Sequence, residues 1–360
     1  MPHPEISNPT PFTFEPLFLA DEELRPALVL LFKATFEIRP GRPDLVLADE
    51  QAPIELAGVP WGDPATSSHK LEPETAIEKP GTDVVLIAHA HPPEAGLTDF
   101  EVGLRAGPLK KTARVIGDRV WRRRFGIPTK SSPAAIDAPI PLLAERAFGG
   151  RDERHPNPAR HGFEPRNPVG VGYHHRRGRF VEGTPLPNIE DPRRPIRLPT
   201  DRPAPALFGF TCPHWEPRRR FAGTYDARWE RERKPLLPKD FDRRFFQAAP
   251  PDLISSDPFR GDEPVVTVNA SRHGTLSFHL PGLPHPRVRV RTRRSEKLDI
   301  ATRLDTVIID TDAERVFLLF RGHTLLRDGP PDVRAIEIDP VASAIQTRSS
   351  PSRAWAQIER

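Results

Sequence analysis

Apolar residues recur in two stretches of the chain, as short blocks or in alternation with polar ones. In the first, residues 12 to about 125, the block 29–38 is apolar and partly alternating, and it stops at Pro40-Gly41. Residues 83–91 follow the turn signal Pro80-Gly81. Residues 100–105 and 113–116 alternate, and Gly117-Asp118 turns the chain into Arg119-Val120-Trp121. The second stretch, 264 to about 339, repeats the pattern at 265–268, 275–280, 287–291, 306–309 and 315–320. In 287–291 valines fall on one face and arginines on the other. Period-two alternation with Gly, Pro or Asp about every ten residues predicts antiparallel sheet.

Residues 126–263 differ. Prolines, Asn-Pro pairs and Gly149-Gly150 crowd there with few strand signals, yet Trp215, Tyr225, Trp229, Phe241, Phe245 and Phe246 lie in the same segment. A disordered linker is poor in aromatics, so this segment is expected to be ordered and packed on the sheets. Its best helix runs over 225–233, with Thr224 as cap, Tyr225 and Trp229 sharing a face, and Pro235 beyond the end. A second short helix is expected from Asp240. The fold class is therefore mainly β: antiparallel β modules at 1–125 and 264–346, bridged by a Pro/Arg-rich, loop-rich segment at 126–263 with one or two short helices. A polar tail at 347–360 is expected to fray.

Composition sharpens this picture. Proline is 46 of 360 residues, about 13% against an ordinary ~5%, which excludes helical bundles, coiled coils and helical solenoids. Glycine shows no three-residue period, which excludes collagen. The formal net charge of +4 is unevenly spread: residues 1–109 hold 7 basic and 18 acidic side chains, and residues 110–360 hold 46 and 31. The two parts should attract each other or present opposite faces to partners. A basic half invites nucleic acid, but the arginines are scattered among prolines and acids, with no zinc-finger, helix-turn-helix or ribonucleoprotein motif, so no nucleic acid is expected. The longest apolar run, 27–32, is far short of the roughly 20 residues of a membrane span, and the first residues carry neither a basic nor an apolar region of a signal peptide. With a single cysteine, Cys212, no internal disulfide can form, and a cytoplasmic location is expected.

The sequence holds few patterns that carry chemistry. His89 and His91 share a strand face and invite a metal, with His155, His161, His174 and His175 as further donors, but no tight ligand frame surrounds them. No metal or cofactor is expected; a metal-dependent hydrolase built on His89 and His91 stands as an alternative. No Gly-x-Ser-x-Gly elbow, phosphate loop or dinucleotide fingerprint occurs, and Cys212 reads as a small buried hydrophobe. The chain is expected not to be an enzyme. What remains is tryptophan beside arginine: Trp121 with Arg122 and Arg123, then Arg218, Arg219 and Arg220 after Trp215, then Trp229 with Arg231 and Arg233. Such residues dominate binding hot spots, and these nine are the candidate partner-binding set, although a tryptophan with a snorkelling rim also occurs as a core anchor.

A set of short strings in fixed order adds a resemblance. It includes Lys33-Ala34-Thr35-Phe36, Lys79-Pro80-Gly81-Thr82-Asp83-Val84, His89-Ala90-His91-Pro92-Pro93, Val115-Ile116-Gly117-Asp118-Arg119-Val120-Trp121 and Ala147-Phe148-Gly149-Gly150. Asn167-Pro168-Val169-Gly170, Leu186-Pro187-Asn188-Ile189-Glu190-Asp191-Pro192, Ala222-Gly223-Thr224-Tyr225-Asp226 and Phe245-Phe246-Gln247-Ala248-Ala249-Pro250-Pro251-Asp252 follow. Together, over residues 12 to 322, they resemble the bacterial family catalogued as domain of unknown function 2169, whose members are associated with type VI secretion. The resemblance implies an adaptor or chaperone. It would bind an effector in the cytoplasm through a PAAR or PAAR-like domain and help load it onto the VgrG spike. It supplies no catalytic residues. A general structural part of the secretion apparatus is the other alternative.

Overall fold

The computed structural model describes residues 4–175 and 182–340. The sequence expectation for a tail at 347–360 lies outside the described residues. The chain is mainly β, with two short α-helices and several sheets whose pairings are mostly antiparallel. A seven-stranded sheet runs in the order Ile254–Ser255, Thr82–Ile87, Arg303–Asp310, Arg315–Leu325, Pro26–Glu37, Thr13–Ala20, with Val46–Leu47 also paired to Pro26–Glu37. Its one parallel pairing joins Thr82–Ile87 to Arg303–Asp310. A five-stranded antiparallel sheet runs Ile189–Glu190, Leu109–Ile116, Asp99–Ala106, Pro264–Val268, Leu276–His279. A four-stranded sheet runs Glu5–Ser7, Val333–Ile338, Arg287–Thr292, Lys297–Ala301. Strands from the first and third regions of the sequence are thus interleaved in the same sheets.

Burial explains the texture of each strand. Pro26–Glu37 lies inside its sheet, between Thr13–Ala20 and Arg315–Leu325, and its residues 27–36 are all buried, so its apolar run is nearly continuous. Arg287–Thr292 covers the core on one side only: Val288 and Val290 point in, while Arg287 and Arg291 point out. Side chains of all three sheets, such as Phe32, Val85, Val102, Val265, Val290 and Ile336, join one contiguous core. Polar groups inside that core come in pairs: Lys33 with Glu74 at 2.6 Å, Lys79 with Asp83 at 2.8 Å, and Arg119 with Glu190 at 2.6 Å. Breaking such a pair strands a charge away from water.

The middle segment is held by interlocked loops. Gly149 and Gly150 have φ of +157° and +93°, and a Cβ on them would sit 2.1 Å from the Asn167 carbonyl oxygen and 2.2 Å from that of Gly170. The Asn167 amide donates to the Ala144 and Phe148 carbonyls at 2.7 and 3.1 Å, and Gly150 N–H donates to Asn167 O at 2.8 Å. Two strings of the family resemblance are therefore the halves of one clasp.

The helices differ in detail from the sequence expectation. The first spans Ala227–Glu232 and is capped by Asp226, whose side chain accepts from Trp229 N–H at 2.8 Å. Thr224 is not the cap, because its hydroxyl and amide bind Asp240 instead. The segment after Asp240 forms a 3-10 turn, Arg243–Phe246, capped by Asp242. A further α-helix, Arg218–Phe221, was not foreseen.

Candidate functional site

The nine tryptophan and arginine candidates fall into two groups. Trp121 is 1% exposed and anchors a second core with Phe148, Leu186 and Ile196. Arg218 is buried as well, donating to Glu72 and to the carbonyls of Thr211 and Phe245. Arg233 is turned onto Glu23, with a second bond to the Leu237 carbonyl. The indole of Trp229 is half-buried, stacked edge-on with Tyr225 at 4.7 Å and donating to Leu236 O. These four hold the protein's own structure. Arg122, Arg123, Arg219, Arg220 and Arg231 are exposed.

The first of these exposed groups stands on a projecting hairpin. Trp121–Arg124 pairs with Ile127–Lys130, and the two turn residues, Phe125 and Gly126, have φ of +48° and +81°. A two-residue turn with both φ positive matches the twist of paired strands, but asparagine or glycine is the usual choice for the first position. Here that position holds Phe125, 92% exposed, with the Arg124 guanidinium 5.5 Å from its ring centre; Ile127 beside it is 64% exposed. The hairpin base is fixed by buried Trp121, whose backbone N–H donates to Thr184 O at 2.9 Å, and by Lys130, whose Nζ donates to Ile196 O. A rigid stem thus presents Arg122, Arg123 and Arg124 with an uncovered aromatic at the tip. The sequence reading missed Phe125 and Ile127; the signal was an aromatic before Gly126 in a run of arginines.

The attraction between acidic and basic parts operates within the chain. Arg243 reaches Glu22 and Glu78, Arg233 reaches Glu23, Arg315 reaches Glu37, and Arg218 reaches Glu72.

A titratable cluster lies inside. His69, on the strand His69–Leu71, has Nδ1 at 2.5 Å from Glu72 Oε1, and the ligating atoms of His69, Glu72 and Cys212 all lie within 4.8 Å of one another. Glu72 Oε2 accepts from Arg218 at 2.7 Å. His69 is pushed up to about 10, first by its hydrogen bond with Cys212 and next by that with Glu72. Burial opposes ionisation of Glu72, but the hydrogen bond from His69 and the charge of Arg218 outweigh it and hold the carboxyl below its ordinary value. Burial pushes His214, next in the chain to Cys212-Pro213, down. The cavity beside His69, bordered by Ser68, Leu142, Gly209 and Phe210, is about 10 Å3, room for one water rather than a substrate.

Among the described residues this is the one trio of histidine, cysteine or acidic side chains converging in this way. His89 and His91 are not part of it: His89 Nδ1 is bound to Asp312 at 2.8 Å, and His155 and His161 bind within their own loop. Sequence spacing missed His69 and Glu72 because Cys212 is remote along the chain.

Fold and surface define a mainly-β protein with a buried polar staple and a projecting cationic, aromatic hairpin. The chain belongs to the family described as uncharacterized protein conserved in bacteria (DUF2169), whose model matches residues 23–321. Comparison with curated proteins finds no match, and comparison with solved structures finds none either. No helix among the described residues is long and apolar enough to cross a membrane.

Proposed function

We propose that this protein is a type VI secretion adaptor: it binds the PAAR or PAAR-like domain of an effector and helps load that effector onto the VgrG spike. The function is what the family resemblance implies. The observation that carries it to a surface is the hairpin Trp121–Lys130. An aromatic at a left-handed backbone position costs of order 1–3 kcal/mol, and leaving its ring in water forgoes about 2 kcal/mol of burial. Both costs fall on Phe125, at the tip of a stem whose base is firmly held. An exposed aromatic with an arginine against its ring is the make-up of a binding hot spot. The partner surface would offer an apolar recess with an acidic rim.

Co-expression with the effector encoded nearby tests the reading. A co-purifying complex is expected, and deletion of the adaptor should stop delivery of that effector alone. Unchanged export without the protein would defeat the proposal. Loss of all secretion, the tube protein included, would point instead to a structural part of the apparatus.

A further inference from the structure

We propose that His69, Glu72 and Cys212 hold a divalent transition-metal ion, zinc in particular. The donor set is a thiol, an imidazole and a carboxylate, with their ligating atoms mutually within 4.8 Å; the ion would replace the proton on His69 Nδ1 and that of the thiol, both released to water. Donors at ~2.0–2.3 Å from one tetrahedral ion stand about 3.3–3.6 Å apart, so His69 and Glu72 need part by only about 1 Å to admit it. His69 can yield: its side chain is 23% exposed, whereas that of Glu72 is 7% and Cys212 is 0% exposed. That open edge is also the entry path.

The shell behind the donors fits. Glu72 turns Oε1 towards the cluster because Arg218 holds Oε2, and Arg218 is itself fixed by the Thr211 and Phe245 carbonyls. Supporting hydrogen bonds of this kind orient metal ligands. Cys212 is fixed by its neighbour Thr211, whose N–H and hydroxyl both donate to Ala248 O. A thiolate with imidazole selects zinc over magnesium or calcium. Such an ion would tie the segment around 69–72 to the proline-rich 207–218, a stretch in which no described residue belongs to a strand.

The test uses the full chain, purified without a residual histidine tag. Elemental analysis should find about one zinc per chain. Cobalt replacement should give a thiolate-to-cobalt charge-transfer band in the near ultraviolet. Cys212→Ser should abolish the band, and Glu72→Gln should weaken cobalt binding tenfold or more. Should Cys212→Ser fail to fold, the wild-type melting temperature serves in its place, rising with added zinc and falling with a chelator. A wild-type chain that takes up no equivalent of metal, shows no cobalt band and melts alike with and without zinc would overturn the proposal, leaving an ion-paired cluster. Retention of metal and band in a folded Cys212→Ser chain would overturn it too.

Discussion

Arg218 donates from Nη1 to Glu72 Oε2 at 2.7 Å, and both side chains are shut away from water. Arg219 and Arg220, the next two residues, are exposed. Three consecutive arginines therefore do different work. Arg218→Met strips the donor from buried Glu72 Oε2, leaving the carboxylate to His69 alone, and frees two carbonyls. It should cost about 3–5 kcal/mol, whereas Arg219→Met and Arg220→Met should stay within about 0.5 kcal/mol. Urea denaturation of the three variants checks this, and equal losses across the set would contradict it.

Trp121 and Phe125 should divide in the same manner. Truncating the buried indole, Trp121→Ala, should cost about 3–5 kcal/mol in stability. Phe125→Ala should leave the unfolding free energy nearly unchanged, because the ring it removes is exposed and the left-handed Cβ stays. Effector binding should respond to Phe125→Ala by tenfold or more. Thermal melts beside a binding isotherm separate the two effects.

The clasp of the middle segment gives a steric prediction. Gly149→Ala places a methyl group 2.1 Å from the Asn167 carbonyl oxygen, which backbone cannot yield cheaply. Asn167→Ala removes the amide that bridges Ala144 O and Phe148 O. Each should destabilise by about 2 kcal/mol or more, and the double variant should cost less than their sum, because the two changes open the same clasp through neighbouring contacts. A double-mutant cycle by chemical denaturation measures it; simple additivity would show the loops to be independent.

Acid sensitivity should arise at Asp152, Arg154 and His174. His174 is pushed down to about 4, first by burial and then by the charge of Arg154. The unfolded chain takes up this proton near the ordinary histidine value of 6.5, whereas the folded chain resists until about 4. Stability should therefore fall as pH drops from 6.5 to 4. Burial raises Asp152, but hydrogen bonds from Arg154 and the His175 N–H outweigh it and hold the carboxyl at about 2. Its share is lost as pH falls from 3.8 to 2. His174→Gln should flatten the first slope and leave the second. Unfolding free energy measured against pH would show this, and an unaltered slope between 6.5 and 4 would contradict it.

Strands were legible in the sequence because period-two burial writes itself into the residues: Val288 and Val290 alternate with arginines just as their faces do. Partners across a sheet were not legible. Nothing local says that Thr82–Ile87 lies parallel to Arg303–Asp310. Helix caps failed for a similar reason, since Thr224 has an alternative partner 16 residues away. Trp121 and Arg218 looked like parts of surface patches because their neighbours are arginines; what buries Arg218 is Glu72, 146 residues distant. The trio of His69, Glu72 and Cys212 carries no motif, being assembled only by the fold.

On the proposed function, the hairpin grips an effector. Titration calorimetry of the full chain against the PAAR-like domain of its neighbouring effector tests it most directly, with the wild type and the double variant Arg122→Glu, Arg123→Glu compared. Saturable binding by the wild type, weakened tenfold or more by charge reversal at unchanged melting temperature, is the predicted result. No heat of association in the wild type, or equal affinity in both proteins, would contradict it.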